Sequence, residues 1–79
     1  RPEGYIELIE IKEILSKAIN DLPAKEKMVV SLYYFNGLTL REISVIMQVS
    51  ESRISQLHTK AIFRLRGKLL KHRCILDWI

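Results

Sequence analysis

The chain has 79 residues, 48% of them apolar, and a formal net charge of +4. That bounds it to one small domain with a modest core, and no run of 18 uncharged apolar residues is present to span a membrane. No signal-peptide pattern opens the chain, and a lone cysteine, Cys74, excludes an internal disulfide, so a reducing, cytoplasmic setting is expected.

Because it starts at Arg1 rather than Met, the chain is expected to be a piece of a longer protein. Its charge is uneven. Residues 1–40 hold five Lys/Arg and six Asp/Glu, a net −1; residues 41–79 hold eight and three, a net +5. A basic half on a small domain fits a polyanion partner, and it equally fits a solvated basic face.

A first helix is expected from about Tyr5 to Asp21. Leu8, Ile11, Leu15, Ala18, Ile19 and Leu22 form one stripe at a 3.6-residue repeat, with Glu7, Glu10, Lys17 and Asn20 opposite. Ile6 and Ile9 lie off that stripe. Pro23 suits the first turn of a second helix, where a missing N–H costs nothing. Met28, Val29, Leu32, Tyr33 and Phe35 are expected on its inner face, and Asn36-Gly37 reads as its stop. Of the adjacent tyrosines, Tyr33 is expected in the core and Tyr34 partly exposed.

A third helix is expected at Thr39. Thr39-Leu40-Arg41-Glu42 fits a capping box, in which the Thr oxygen takes the Glu42 N–H and the Glu side chain reaches back. Leu40, Ile43, Ile46 and Met47 are expected to face inward. Gln48-Val49-Ser50 interrupts the helix, and a fourth starts with Ser50 as its N-cap. Ile54, Leu57, Ala61, Leu65 and Leu69 form the inward stripe of this last helix; Gly67 weakens it by roughly 1 kcal/mol against Ala. No strand pattern, repeat or low-complexity segment competes. The expectation is an all-α, four-helix domain whose C-terminal part is a helix-turn-helix.

The turn meets that motif's demands. Ser44 is small where two helices cross closely, Val49 is an apolar plug, and Ser50 caps the second helix. Gln48 sits where the turn often wants a left-handed Gly, at a cost of about 1 kcal/mol for another residue. On a helical wheel set by Ile54 and Leu57, Ser52, Gln56 and Thr59 point away from the core, with Arg53 and Lys60 on one flank and Ser55 on the other. The ridge is narrow enough for a major groove. Gln pairs with an adenine edge, Arg with guanine or phosphate, and the helix start favours a phosphate. The competing reading is an amphipathic helix with a wet outer face.

"LPAKEKMVVSLYYFNGLTLREISVIMQVSESRISQLHTKAIFRLR", residues 22–66, resembles region 4 of bacterial sigma factors of the sigma-70 family. "SLYYFNGLTL" and "SESRISQLH.KAI.RLR" resemble its flagellar, or motility, class most. The resemblance implies a domain that reads the promoter −35 element with the second motif helix. It also implies docking on the β-flap of the RNA polymerase core through the groove around the first two helices, and an anti-sigma factor as a further partner. Carried over, Arg53 and Gln56 match base-contacting positions, with Ser52, Ser55 and Thr59 beside them. Thr39, Arg41, Ser50 and Lys60 match places near phosphates. Glu51 and Ser55 stand where housekeeping members often carry arginine, which implies a different −35 sequence. The implied division is about 5–37 for the polymerase or anti-sigma surface, about 39–72 for the helix-turn-helix, and an apolar tail at 73–79.

His58 and His72 have no nucleophile arranged with them, and no ligand set has zinc spacing, so no enzyme site, metal or cofactor is expected. His58 is expected to be packed or half-exposed beside Ile54 and Ile62. Tyr34, Phe35 and Phe63 are candidates for contact with polymerase or an anti-sigma factor; plain surface exposure is the alternative for Tyr34 and Phe63. For the tail, Ile75, Leu76 and Ile79 fit packing against the first helix or a patch for a partner. Two rival functions remain: the helix-turn-helix of another transcriptional regulator, and a protein-interaction domain that keeps the shape without using DNA.

Overall fold

A computed structural model gives the fold for residues 2–70, with side chains described from Leu8 onward. Residues 71–79, with the expected tail contacts, Cys74 and the end of the helix-turn-helix segment, lie outside the described residues. Four helices follow in order: α1 (Pro2–Asn20), α2 (Ala24–Val30), α3 (Leu40–Met47) and α4 (Glu51–Lys68). Between α2 and α3 the chain makes a π-helical turn, Ser31–Phe35. The described residues hold no strand, and the fold is all-α.

The α4 stripe organises the core. Its N-terminal part, Ile54 and Leu57, packs with Val29 of α2 and Ile43 of α3; Leu32, Leu38, Leu40, Met47 and Val49 close around them. Its C-terminal part, Ala61 and Leu65, with Leu69 just beyond, packs with Val30 of α2 and Ala18, Ile19 and Leu22 from the α1 end. Val29 and Val30 are successive residues about 100° apart on α2, so one short helix feeds both clusters. Each fully buried Ile, Leu or Val contributes about 1.5–3 kcal/mol over the exposed state.

Several inward expectations fail. Met28 is 50% exposed, Phe35 71% and Ile46 57%, and Tyr33 lies on the surface rather than in the core. On α2 the inner positions are Glu26, Val29 and Val30, at i, i+3 and i+4, which turns Met28 away from α4. Beyond Val30 the helix widens: the Asn36 N–H bonds the Ser31 carbonyl at 3.3 Å, five residues back. The wider turn shifts the side-chain register, and Tyr33 and Phe35 leave the face that α-helical spacing assigns them. Ile46 lies to the side of the Leu40–Ile43–Met47 row that meets the core. At the outer part of α1, Leu8 departs from the expected inward stripe and is exposed, as is Ile9, which lies off that stripe.

The stops match the chemistry of their residues. Gly37 takes φ +68°, which ends the π turn, and the Leu38 N–H bonds the Leu32 carbonyl at 3.1 Å. Pro23 stands one place before the expected first turn, at the N-cap of α2 with φ −53° and ψ 147°. The sequence reading missed Glu26. Its carboxylate is buried and accepts from Arg64 Nε of α4 at 3.0 and 3.2 Å. Lys68 Nζ and Asp21 Oδ2, 3.5 Å apart, are both substantially exposed, and such a pair contributes little.

Candidate nucleic-acid interface

Local hydrogen bonding builds the α3–α4 unit from both ends. At the start of α3 the capping box forms in full: the Glu42 N–H donates to Thr39 Oγ1 at 3.1 Å and the Thr39 N–H to Glu42 Oε1 at 2.9 Å. The backbone bond from Thr39, then the side-chain bond, hold the Glu42 carboxyl below its ordinary pKa. At the other end Gln48 adopts φ 58°, ψ 43°, the left-handed conformation expected of it. The Val49 N–H then reaches the Ser44 carbonyl at 3.1 Å, and Val49 turns into the core as the plug. Ser44 folds its hydroxyl back to the Arg41 carbonyl at 2.6 Å, which keeps its surface compact.

Ser50 then sits extended at φ −68°, ψ 155°, and its Oγ accepts from the Arg53 N–H at 3.0 Å. Ile43 and Ile54, both 0% exposed, fix how the helices cross. From this capped start Ser52, Arg53, Ser55, Gln56, Thr59 and Lys60 are all exposed, as the wheel requires. Arg53 Nη1 lies 3.4 Å from Gln56 Oε1, so the two longest side chains of the ridge lean on each other across one turn. Thr39, Arg41 and Ser50 are exposed too, at the starts of the two helices. All nine candidates are thus exposed, on α3, α4 and the caps that start them.

The three partner-contact candidates separate. Tyr34 and Phe35 line an apolar groove with Leu15, Ile19, Val30 and Ile62, between α1, the π turn and α4. Phe63 is 79% exposed on α4, beside Lys60 and Arg64. The sequence reading missed a side-chain cluster here. Tyr34 Oη is 2.8 Å from His58 Nε2, the two rings are stacked with centroids 5.7 Å apart, and Tyr33 leans on His58 at 5.4 Å. Burial and the neighbouring Tyr33 raise the Tyr34 pKa. Residues 24 apart give no local signal of pairing. Glu26 did carry one, an acid on an i, i+3, i+4 inner row.

Among the described residues, no group of three His, Cys, Asp or Glu side chains is placed to hold a metal. No helix there is long and apolar enough to cross a membrane.

Comparison with known proteins agrees with this arrangement. The family model for sigma-70, region 4 matches residues 18–67. RNA polymerase sigma factor FliA of Escherichia coli K12 is 49% identical over 61 residues, 77% of this chain and 26% of the relative. RNA polymerase sigma-D factor of Bacillus subtilis is 46% identical over 70 residues, 89% of this chain and 28% of the relative. FliA of Pseudomonas aeruginosa is 48% identical over 59 residues, 75% and 24% of the two chains. The chain thus spans about a quarter of the length of the curated relatives it matches. No solved structure gives a significant match. The helix-turn-helix geometry and the family match lead to one conclusion: this chain belongs to the sigma-70 family as a region 4 domain, most like those of the flagellar class.

Proposed function

We propose that this chain is the −35-reading C-terminal domain of an RNA polymerase sigma factor, directing transcription initiation at flagellar and motility genes in the cytoplasm. The observation that carries the reading is the exposed polar ridge of α4, rising from a helix start held by Ser50. Arg53 and Gln56 read base edges, with Ser52, Ser55 and Thr59 small enough to let the helix approach. Thr39, Arg41, Ser50 and Lys60 hold phosphates and set the register. The groove beside Tyr34 and Phe35 takes the β-flap of the polymerase core, and an anti-sigma factor covers that groove and Phe63. Residues 5–37 thus serve protein partners and residues 39–72 serve DNA. The mechanism is positioning, with no chemical step of its own.

Fluorescence anisotropy tests it, on a duplex with a flagellar-type −35 element against a scrambled duplex across a salt series. The element is expected to bind more tightly. Gln56→Ala is expected to remove about 1–3 kcal/mol of that preference, the worth of one good bidentate base contact. Equal, steeply salt-dependent binding to both duplexes leaves phosphate attraction alone and sinks base reading by the isolated chain.

A further inference from the structure

Tyr34 and His58 occupy a place in the fold that surface exposure does not explain. On α4 the buried row is Ile54, Leu57, Ala61 and Leu65. At 100° per residue, His58 stands about 60° to one side of that row and Arg64 about 60° to the other. Each makes a polar contact with the segment formed by α2 and the π turn. Arg64 donates to Glu26 at the start of that segment, and His58 meets Tyr34 near its end. The apolar row resists separation of the helices and large rotations of α4, and contacts on its flanks act on the small rotations that packing leaves. The two polar contacts lie on opposite flanks of α4 and both reach that one segment.

The π turn is what makes the second contact. Bonding five residues back, as Asn36 does to Ser31, fits more residues into each turn and narrows the angle between neighbours. Tyr33 and Tyr34 therefore both reach His58, one tilted on its ring and one stacked, with their own rings edge to face at 4.8 Å. Such pairs add attraction beyond their buried area. π turns inside helices recur at functional positions.

The position of His58 decides the consequence. It lies between Gln56 and Thr59 in sequence, on the turn that carries the outer half of the ridge. Recognition tolerates misplacement of about 0.5 Å or 10–20°, and a turn of the helix moves every ridge side chain together. We infer that Tyr34 is a positioning residue: its hydroxyl, bonded to His58, sets the rotation of α4 and so the aim of Gln56 and Thr59 at the bases. This inference rests on the −35 reading proposed above.

The test is the ratio of affinities for the element and scrambled duplexes, measured on the 79-residue chain without polymerase, so that any role of the Tyr34 ring in a protein contact is absent. Tyr34→Phe removes one oxygen and keeps the ring. It is expected to lower the ratio about three- to tenfold, the scale of one hydrogen bond, by weakening the element duplex alone. Affinity for the scrambled duplex and the salt slope are expected to hold, with the melting temperature lowered by no more than the loss of one hydrogen bond. His58→Gln, whose amide reaches the place of Nε2, is expected to keep most of the ratio, and His58→Leu to lose as much as Tyr34→Phe. In the Tyr34→Phe, His58→Leu double variant the losses are expected not to add. An unchanged ratio in Tyr34→Phe overturns the inference while leaving the −35 reading intact. Equal weakening on both duplexes also overturns it, because the contact is then merely structural. Absence of any preference in the unsubstituted chain sinks base reading by the isolated chain and overturns this inference with it.

Discussion

The two halves of the molecule are built by different means. The α3–α4 half draws its shape from neighbours in sequence: a capping box at Thr39, a left-handed Gln48, a cap at Ser50, each complete within a few residues. The α1–α2 half has no side-chain cap at the start of α2, and it depends on distant partners. Glu26 needs Arg64, 38 residues on, and Tyr34 needs His58, 24 residues on. A unit built locally holds its own shape, and the contacts of His58 and Arg64 with the other half then fix how α4 sits against it. Both halves leave apolar side chains outside: Met28, Tyr34 and Phe35 in one, Val45, Ile46 and Phe63 in the other.

The sharpest way to break that contrast is to cut one large apolar side chain from each half. Ile54→Ala, at a 0% exposed position where α4 crosses α3, is expected to cost about 2–5 kcal/mol in denaturant unfolding. Met28→Ala, on α2, is expected to cost less than about 1 kcal/mol, because its side chain already faces water. Equal costs mean that Met28 is inside after all and that the α2 register is wrong.

The ion pair between the halves comes next in size. Arg64→Ala leaves the Glu26 carboxylate buried without its partner. Breaking a fully buried pair in this way costs about 3–5 kcal/mol. Arg64 itself is 53% exposed, and water reaching the gap reduces the expected loss to about 2 kcal/mol. Adding Glu26→Gln is expected to restore part of that loss, since a neutral amide is cheaper to leave unpaired. An Arg64→Ala variant of undiminished stability removes the pair from the account of how α2 is held.

The same division decides what the sequence discloses. Caps, stops and the left-handed turn residue are written in single residues and their immediate neighbours, so Thr39, Glu42, Gln48 and Ser50 are legible without coordinates. So is the α4 stripe, whose period stays α-helical along its length. The second helix is misread at Met28, where an acid, Glu26, holds an inner position, and again from Tyr33 onward, because nothing in "SLYYF" marks the extra residue in the turn, and one such step moves every later side chain to another face. Ile46 is misread for a simpler reason. A short helix touching the core along one row has more apolar residues than covered positions. The ridge of the candidate interface is legible as a face, since helical spacing alone puts Ser52, Gln56 and Thr59 outside. What aims it is not, because the pairing of Tyr34 with His58 depends on the π turn.

The smallest expected effect lies wholly in the locally built half. Hydrogen bonds from Thr39, backbone first, hold the folded Glu42 carboxyl below its ordinary value of 4.5. A depressed folded pKa contributes stability that is present above the ordinary value and is lost as pH falls through the folded one. The capping box is therefore expected to weaken on the acid side of the ordinary glutamate range and to be indifferent to pH above it. Glu42→Gln keeps an oxygen acceptor for the Thr39 N–H but carries no titrating proton. The variant is expected to shed this part of the acid dependence while its far-UV circular dichroism stays unchanged at neutral pH. A direct titration of the Glu42 carboxyl carbon by NMR reads the same contact. A midpoint at the ordinary value means the reciprocal bond to Thr39 is not held in solution, and the start of α3 then depends on Thr39 Oγ1 alone. That outcome narrows the contrast between the two halves, because one of the local devices that set α3–α4 apart is then only half made.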